Sequence, residues 1–391
     1  MVQAYPGLGA LTLIPGSRRP VAPPLQSHPV AACCLPSRPV SRPARMEPWP
    51  EARSAILSKR SLSMPSTHPR LLADIGGTNA RFAWQSGPDA PLSQAATLPC
   101  AAHASLEAAV RHYLQAQGLP APAAGAIGIA NPVTGDQVQM TNHHWSFSIA
   151  ALQHGLGLAR LCVVNDFTAL ALALPLLTRD DLHVIGGGQP VAGAPVALIG
   201  PGTGLGVSGL LPSRDGGADS LPLQGEGGHV TLAATDALQE AVLRLLRKRF
   251  GHASAERALS GPGLVNLYEA ACELSGRRVL LTTPAEVLAG SRRDDCPACA
   301  TAVQLFCQFL GSVAGNLALT LGARGGVYIG GGIVPRMVRE LEGSGFRAQF
   351  EAKGRFRDYL RGIPVFVIDA PESPALRGAG RALDLGLGLS L

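Results

Sequence analysis

Residues 72–84, Leu-Ala-Asp-Ile-Gly-Gly-Thr-Asn-Ala-Arg-Phe-Ala-Trp, decide the fold of this chain. An apolar strand carries one carboxylate, Asp74, into a Gly-Gly-Thr turn and then continues as a second strand. The two glycines remove the Cβ atoms that would keep a ligand from the backbone, and the hydroxyl of Thr78 adds a donor. The motif therefore predicts a turn that holds phosphate, with Asp74 close to a divalent cation. A tight β-hairpin whose glycines only supply positive φ explains the motif equally well when it is taken alone.

The composition is that of a globular α/β protein with enough mass for two domains. Of the 391 residues, 46% are hydrophobic, 15% are charged and 47 are glycine. The net charge of +6 lies entirely in residues 1–63, which carry eight lysines and arginines against two acids. Because the rest of the chain sums to zero, we expect no nucleic-acid partner for the folded body.

The first part of the chain differs in composition from everything after it. Residues 1–63 hold 11 of the 32 prolines and show no sustained apolar periodicity. We therefore expect a disordered, proline- and arginine-rich leader over residues 1–69. A transit peptide is disfavoured because the prolines break the amphipathic helix that it needs. The composition favours a misassigned start, with Met64 or Met46 as the initiator.

Cysteine usage and hydropathy indicate the compartment. The eight cysteines are scattered and no secretory h-region is apparent, so we expect a reduced, cytoplasmic protein. Cys296-Pro-Ala-Cys299 has the spacing of a zinc-ligand pair, but no second such pair and no nearby histidine completes four ligands. The apolar segment 167–177 is too short to cross a bilayer, so no membrane association is expected.

Two blocks of the chain begin with the same pattern of strand, Gly/Thr turn and strand. The first block is predicted to contain a hairpin, a helix, two strands and a second helix: 72–84, 105–117, 124–130, 161–164 and 167–176. The second block is predicted to contain a strand, a glycine turn, a strand, three helices and a last strand: 195–199, 200–206, 207–211, 235–250, 262–275, 300–321 and 326–329. This recurrence predicts a small α/β domain over residues 70–192 and a large one over residues 193–391.

Two further glycine-rich turns follow predicted strands. Residues 200–206 contain part of a dinucleotide fingerprint, but they lead into a strand instead of a helix, so a Rossmann site is not predicted. This turn is instead similar to the first one, with Thr203 as the hydroxyl donor. Residues 330–332 lie between a strand and a helix, where the close approach of a flat ring or a ribose needs glycine. A plain structural turn remains an alternative at both places.

Polar side chains stand out at three more places. Asn165 and Asp166 end a predicted buried strand, where a half-desolvated carboxylate can accept a hydroxyl proton; an Asp N-cap is the alternative. Glu226 and His229 lie among glycines and suit hydrogen bonding to sugar hydroxyls. They suit metal ligation less well, because one carboxylate and one histidine are an incomplete ligand set. Glu256 joins this group, although a solvated helix charge explains it as well.

Six motifs, taken together and in this order, resemble those of bacterial glucokinases of the proteobacterial type, in the actin-like sugar kinase and Hsp70 ATPase superfamily. The motifs are Asp74-Ile-Gly-Gly-Thr-Asn, Asn165-Asp-Phe-Thr-Ala, Gly200 to Gly206, Gly225-Glu-Gly-Gly-His, Ser254-Ala-Glu-Arg with Leu259-Ser-Gly-Pro-Gly-Leu-Val-Asn-Leu-Tyr, and Gly330-Gly-Gly-Ile-Val-Pro-Arg. The resemblance covers about residues 70–388 and departs at Ala73, where the family often has glycine. It implies a two-lobed, actin-like (ribonuclease H-like) α/β fold, with sugar and ATP bound in the interdomain cleft.

The resemblance implies ATP-dependent phosphorylation of D-glucose to glucose 6-phosphate, with ATP and Mg²⁺ as cofactors, by a cytoplasmic homodimer. Asp166 is implied as the general base for the 6-hydroxyl, and Asp74 as the residue that positions Mg²⁺ through water. The residues implied in glucose binding are Asn165, Asp166, Glu226, His229 and Glu256. The residues implied in ATP binding are Ala73, Asp74, Ile75, Gly76, Gly77, Thr78, Asn79, Gly202, Thr203, Gly204, Gly330, Gly331 and Gly332.

Three alternatives share the superfamily. A kinase of another hexose or of an amino sugar often carries a cysteine-rich zinc motif beside its sugar-binding histidine, and none follows His229. A sugar-sensing transcription regulator needs a DNA-binding part, but the proline-rich leader lacks the helical periodicity of a helix-turn-helix. A structural ATPase offers no reason for Glu226, His229 and Glu256 to occur together. We therefore expect a glucose kinase.

Overall fold

The structure is a computed structural model that describes residues 68–387, except 89, 142, 214–219 and 294. All of these residues belong to one compact unit, Ser63–Leu391. The predicted leader lies outside the described residues apart from its last two positions, and Met64 lies outside them as well. The division into a small and a large domain near residue 192 stays a prediction.

The described elements are numbered here in chain order. The strands are β1 (Arg70–Ile75), β2 (Asn79–Gln85), β3 (Ser93–Pro99), β4 (Ala124–Ile129), β5 (Gln137–Gln139), β6 (Ser146–Ser148), β7 (Arg160–Asn165), β8 (Leu182–Ile185), β9 (Val196–Pro201), β10 (Leu205–Leu211), β11 (Leu221–Leu223), β12 (Val327–Ile329) and β13 (Val365–Ile368). The helices are α1 (Leu106–Ala116), α2 (Ile149–Gly155), α3 (Asp166–Ala173), α4 (Ala237–Phe250), α5 (Gly261–Leu274), α6 (Pro284–Ser291), α7 (Pro297–Leu321), α8 (Val338–Glu342), α9 (Phe346–Glu351), α10 (Arg357–Arg361) and α11 (Pro374–Asp384).

Two mixed sheets share one strand pattern. In the first sheet, β3-β2-β1-β4-β7, the pairs from β3 to β1 are antiparallel and the pairs from β1 to β7 are parallel. The second sheet repeats this pattern as β11-β10-β9-β12-β13 and adds β8 as an antiparallel edge strand. The β1–β2 and β9–β10 hairpins therefore occupy equivalent positions. This duplication is the two-lobed actin-like α/β fold.

The central strand β1 is buried along its whole length, as a strand between two neighbours with covered faces must be. A charge in such a strand needs a partner. Arg70 donates from Nε to Gln85 Oε1 at 2.7 Å and forms an ion pair with Asp384 of α11. Helix α11 packs on strands β1 and β4 of the first sheet and on helix α3, although it comes after the strands of the second sheet in the chain.

The long helix α7 forms the core beside the second sheet, where it packs against α5, α6, α9 and β9. Among the described residues it is the one helix long and apolar enough to span a membrane, but 67% of its most apolar window is buried, as in a core helix. This helix is longer than the apolar segment 167–177 singled out in the sequence. Glycine allows close packing on α7, since a Cβ at Gly311 would lie 2.2 Å from the carbonyl oxygen of Phe346.

Most of the predicted elements form close to their predicted positions. The predicted helix 105–117 is α1, and its N-cap Ser105 accepts a hydrogen bond from the Ala108 amide at 3.1 Å. The segment 131–145, for which no element is predicted, contains strand β5 and leads into β6, and Val138 and Trp145 are buried there. The sequence did not reveal β13 and α11, whose places depend on the sheets that they join.

Candidate active site

The glycine turns and the polar strand ends meet at two adjoining cavities. The first cavity, of about 680 Å³, has a lining that includes Gly76, Gly77, Asn165, Asp166, Gly202, Thr203, Gly204, Glu226, His229 and Glu256. The second cavity, of about 560 Å³, has a lining that includes Asp74, Arg81, Asp166, Gly330, Gly331, Gly332 and Ser373. The residues that line both cavities are Gly76, Asp166, Phe167 and Gly331. Asp166 therefore lies where the two cavities meet.

Four residues of the predicted ATP-binding set line neither cavity. Ala73 and Ile75 are fully buried in β1, where they hold the strand that carries Asp74. Thr78 is exposed in the turn, and Asn79 begins β2 and accepts the amide of Gly76 on its carbonyl oxygen at 3.0 Å. The structure thus brings together the glycines and the acidic residues of the predicted site, but not these four.

Gly76 and Gly202 have no structural need for glycine within the described chain. The φ of neither residue lies in the left-handed region. A Cβ at Gly76 would make an ordinary contact, 3.5 Å from the Asn79 oxygen, and a Cβ at Gly202 would meet nothing within 4 Å. Positive φ therefore does not explain these glycines, and the missing Cβ atoms leave the backbone open to the first cavity.

Gly331, by contrast, is required by backbone packing, and a Cβ at Gly204 would displace the Glu256 carboxylate. A Cβ at Gly204 would lie 2.5 Å from Oε2 of Glu256, the same oxygen that accepts the Leu205 amide at 3.0 Å. Gly331 has a φ of +81°, and its Cβ would lie 2.3 Å from the Pro201 oxygen. The second glycine turn is thereby fastened to Glu256, and the third one lies against the end of β9.

The carboxyl end of β7 presents Asn165 and Asp166. Asn165 is the N-cap of α3, because its Oδ1 accepts the amides of Phe167 at 2.9 Å and Thr168 at 3.2 Å. The capping role considered for Asp166 therefore belongs to its neighbour. Desolvation, and secondly the negative charge of Asp74, raise the pKa of the half-buried Asp166 carboxyl to about 6. Such a group can take up a proton near neutral pH.

Asp74 is held from two directions. Its Oδ2 accepts from Nη1 of Arg81 at 3.2 Å, directly across the hairpin, and from Oγ of Ser373 at 2.7 Å. The pairing of Arg81 with Asp74 could be predicted from the register of the hairpin. Ser373 could not, because it lies 299 residues away in sequence and belongs to no recognised motif. These two donors orient one oxygen of the carboxylate and stabilise its charge.

Glu226, His229 and Glu256 come together on one side of the first cavity. Glu226 precedes a short 3-10 turn, Gly227–His229, and the side chains at both ends of this segment are exposed. The Glu256 amide donates to the Gly228 oxygen at 2.9 Å, which places Glu256 beside that turn. The three side chains offer acceptors and one imidazole toward a polar ligand.

Asn131 and Thr141 also line the first cavity, and neither residue is among those predicted from the sequence. Oδ1 of Asn131 accepts from the Thr141 amide at 3.0 Å and from its hydroxyl at 2.7 Å. Nδ2 of Asn165 donates to the Asn131 carbonyl oxygen at 3.4 Å. An Asn-Pro pair opening a loop-rich stretch was the available signal, and it indicates a turn more readily than a binding wall.

Comparisons with known proteins agree with this geometry. The glucokinase family model matches residues 71–385. A glucokinase of Aromatoleum aromaticum is 56% identical over 322 residues, covering 82% of this chain and 96% of that protein. The crystal structure of a glucokinase from an Antarctic psychrotroph has a TM-score of 0.73 and 37% identity, covering 81% of this chain and 99% of that one. The glucose complex of Balamuthia mandrillaris glucokinase shares the fold, with a TM-score of 0.64 and 19% identity over 80% of this chain and 93% of that one. Because the match spans both sheets and both cavities, this chain belongs to the glucokinase family.

Proposed function

We propose that this chain transfers the γ-phosphoryl group of ATP to the 6-hydroxyl of D-glucose, with Asp166 as the general base. The observation that carries the proposal is the position of Asp166 on the wall common to both cavities. A carboxylate there reaches a sugar hydroxyl on one side and faces a phosphoryl group arriving from the other. Membership of the glucokinase family supports this pair of substrates.

Glucose would lie in the first cavity, between the end of β7 and the Glu226–His229 segment. Oδ1 of Asn165 is engaged as the helix cap, and Nδ2 donates one of its two N–H bonds to the Asn131 carbonyl oxygen, so the second N–H would donate to a sugar oxygen. Glu256 uses Oε2 for the Leu205 amide, which leaves Oε1 to accept a sugar hydroxyl. Glu226 and His229 are exposed enough to complete the ring of partners.

The phosphates of ATP would lie along the first two glycine turns, with the adenosine near Gly330–Gly332. Gly76 and Gly202 support this placement, because neither a backbone conformation nor a neighbour within the chain demands glycine there. Thr203 offers a hydroxyl on the same wall.

A magnesium ion fits the same region through oxygen ligands. Asp74 and Asp166 line one cavity, and the negative charge of Asp74 adds to desolvation, the larger cause, in raising the pKa of Asp166; a divalent cation would relieve the repulsion between the two carboxylates. The described residues contain no group of three or more His, Cys, Asp or Glu side chains that could hold a metal ion, so water and phosphate would supply the other ligands. When bound, the ion would neutralise charge developing on the phosphoryl oxygens.

In this mechanism the chain mainly positions the reactants and accepts one proton. As the bond from the sugar O6 to phosphorus forms, the O6 proton passes to the Asp166 carboxylate, and ADP leaves with the electron pair of the broken bond. Desolvation raises the pKa of Asp166 to about 6, which makes it a stronger base than an exposed carboxylate and leaves it largely ionised at pH 7.

The decisive experiment is Asp166→Asn, with glucose binding measured by calorimetry and turnover by a coupled assay. Binding should persist, while kcat should fall by about 10²–10⁴-fold because the proton acceptor is lost. Asp358→Asn is the matched control, since it removes an exposed carboxylate that lines neither cavity. Turnover of Asp166→Asn within about tenfold of the parent would contradict the assignment of the base.

Substrate choice is tested by comparing glucose, mannose, fructose and N-acetylmannosamine at one ATP concentration. We expect the highest kcat/KM for glucose. A preference for N-acetylmannosamine would favour an amino sugar kinase on the same fold.

We also propose that the protein works as a homodimer in the cytoplasm. Support comes from the family resemblance. Light scattering of the purified chain tests the oligomeric state, and cell fractionation tests the compartment.

A further inference from the structure

Cys296 and Cys299 are joined by a disulfide at the start of α7, with their Cα atoms 5.3 Å apart. Cys296 is the half-buried N-cap residue of that helix, and Cys299 is buried in its first turn. The other described cysteines, all without a disulfide, are Cys100, Cys162, Cys272 and Cys307. Cysteine usage predicts reduced thiols throughout, and this pair departs from that prediction. Disulfides of cytosolic proteins are usually transient and either catalytic or redox-sensing.

The placement of the pair suits thiol–disulfide exchange. Cys296 is the more accessible of the two sulfurs and lies at the N-terminus of a 25-residue helix whose described first turn carries no acidic residue. The positive end of that helix stabilises a thiolate on Cys296. Cys299 is one turn further along and buried, the position of a resolving cysteine.

The carboxyl end of α6 packs directly against this pair. A Cβ at Gly290 would lie 2.7 Å from Sγ of Cys299, so the helix and the sulfur have no space between them. Breaking the bond moves the two sulfurs from covalent to non-bonded separation, about 3.5–4.0 Å for heavy atoms. Either Cys296 turns outward or α6 shifts.

The amino end of α6 lies near the second glycine turn, residues 200–206. Pro284, the first residue of α6, packs near Gly261, where a Cβ would lie 3.3 Å from Cγ of the proline. The Gly261 amide donates to the carbonyl oxygen of Gly202 at 2.8 Å. A displacement of α6 would therefore reach the turn proposed to hold phosphate through one packing contact and one hydrogen bond.

The carboxyl end of α6 contacts the second cavity. Arg292 is the C-cap residue of α6, and its Nη2 donates to the carbonyl oxygen of Arg336 at 2.8 Å. Arg336 lines the second cavity. Glu340 holds the same guanidinium, accepting from Nε at 2.5 Å. The carboxyl end of α6 thus contacts a wall of the proposed nucleotide site directly, and the amino end is linked to one through Gly261.

We propose that Cys296 and Cys299 are a reversible thiol–disulfide pair whose oxidation state sets the affinity of the site for ATP through α6. In the oxidation step, the Cys296 thiolate attacks a small-molecule disulfide, forms a mixed disulfide and releases one thiolate. The Cys299 thiol then loses its proton and attacks Sγ of Cys296, releasing the second thiolate. The pair loses two electrons and two protons, and the external disulfide becomes two thiols. The disulfide form holds α6 in place and binds ATP more tightly; this coupling rests on the proposed nucleotide site.

The bond itself is tested by mass, independently of catalysis. The full chain is treated with oxidised glutathione or with dithiothreitol, free thiols are alkylated, and the tryptic peptide 294–324 is weighed. After oxidation the peptide should carry one alkyl group, on Cys307, and otherwise be two hydrogen atoms lighter than its sequence mass; after reduction all three cysteines should be alkylated. In the oxidised sample, a peptide with three alkylated cysteines, or with glutathione attached but no internal bond, would overturn the proposal.

The coupling is tested by equilibrium binding of ATP, which needs no turnover. Reduction should weaken ATP binding by about fivefold and leave glucose binding unchanged. Cys296→Ser should show the weaker ATP binding under both treatments, whereas Cys272→Ser, which removes a buried unpaired cysteine, should keep the response. Equal ATP affinity of the oxidised and reduced chains, or an equal shift in Cys296→Ser, would contradict the coupling. Absence of kinase activity with the shift in ATP affinity intact would instead count against the proposed reaction.

Discussion

The β1–β2 and β9–β10 hairpins are equivalent in the two sheets, yet the second cross-strand pair from the turn is chemically different in each. The penultimate residue of β1 is Asp74, opposite Arg81, whereas the penultimate residue of β9 is Gly200, opposite Gly206. The first hairpin therefore carries an ion pair at the place where the second carries two glycines.

The ring of Phe167 accounts for the difference. A Cβ at Gly200 would lie 2.5 Å from this ring, and a Cβ at Gly206 would lie 2.1 Å from it. Phe167 follows Asp166 directly, so the second hairpin forms the surface that supports the proposed base. The comparison teaches that the same strand pattern supplies charge from one sheet and a packing surface from the other.

Removing the charge of the first hairpin should have the largest effect. Asp74→Asn should lower kcat by about 10²–10³-fold, because a preorganised charge beside the phosphoryl group is lost. It should also move the pH midpoint of activity below about 6, since the Asp74 charge helps to raise the pKa of Asp166. A pH–rate profile measures both effects, and an unchanged midpoint would show that the two carboxylates do not interact.

Adding a methyl group to the second hairpin should come next. Gly206→Ala drives a Cβ into the Phe167 ring, which should reduce the free energy of unfolding by about 1–3 kcal/mol and displace Asp166. A displacement of the base by 1 Å corresponds to a loss of about 10²-fold in kcat. Thermal unfolding and steady-state kinetics measure the two effects.

Gly202→Ala is the matched control in the same hairpin. Its Cβ meets nothing within 4 Å, so the melting temperature should stay unchanged while KM for ATP rises. A melting temperature that falls equally in both variants would remove the distinction between the packed and the open glycine.

Changes in pH should act on activity and on folding stability in opposite directions, and with a smaller effect than the substitutions above. Because the base must be ionised, kcat should be half-maximal near pH 6 and fall about tenfold for each pH unit below it. Folding raises the pKa of Asp166 from 3.8, so between pH 3.8 and about 6 the folded chain holds a proton that the unfolded chain lacks. Its contribution to stability is therefore complete below pH 3.8 and is lost as the pH rises through about 6. Asp166→Asn should abolish both trends in parallel measurements of rate and unfolding.

The smallest effect is expected from Ser373→Ala. The substitution removes one of two donors to Asp74 and should cost about 0.5–1.5 kcal/mol, or roughly two- to tenfold in kcat, with KM for glucose unchanged. Ser275→Ala is the control, because that hydroxyl bonds only to nearby helix carbonyls in the described structure. A rise in KM for glucose with kcat unchanged would mean that Ser373 acts on the sugar side.

The sequence by itself determined the local parts of this protein. Residues 72–84 form the expected hairpin, the polar pair at 165–166 lies at the expected strand end, and the helices over 105–117 and 235–250 begin at caps written in the sequence. These features depend on periodicity, glycine and capping side chains within a few residues, so short-range chemistry specifies them.

Only the tertiary structure decided what these parts contact. Ser373 donates to Asp74 although 299 residues separate them in sequence. The ring of Phe167 leaves no room for a side chain at Gly200 or Gly206. α6 lies between a cysteine pair and a glycine turn, and Asp166 lies between two cavities. Such contacts arise where separately formed elements pack together, and no local pattern encodes which distant element will arrive. The sequence could therefore indicate the residue types of the site, whereas the packing of the two sheets decided their arrangement.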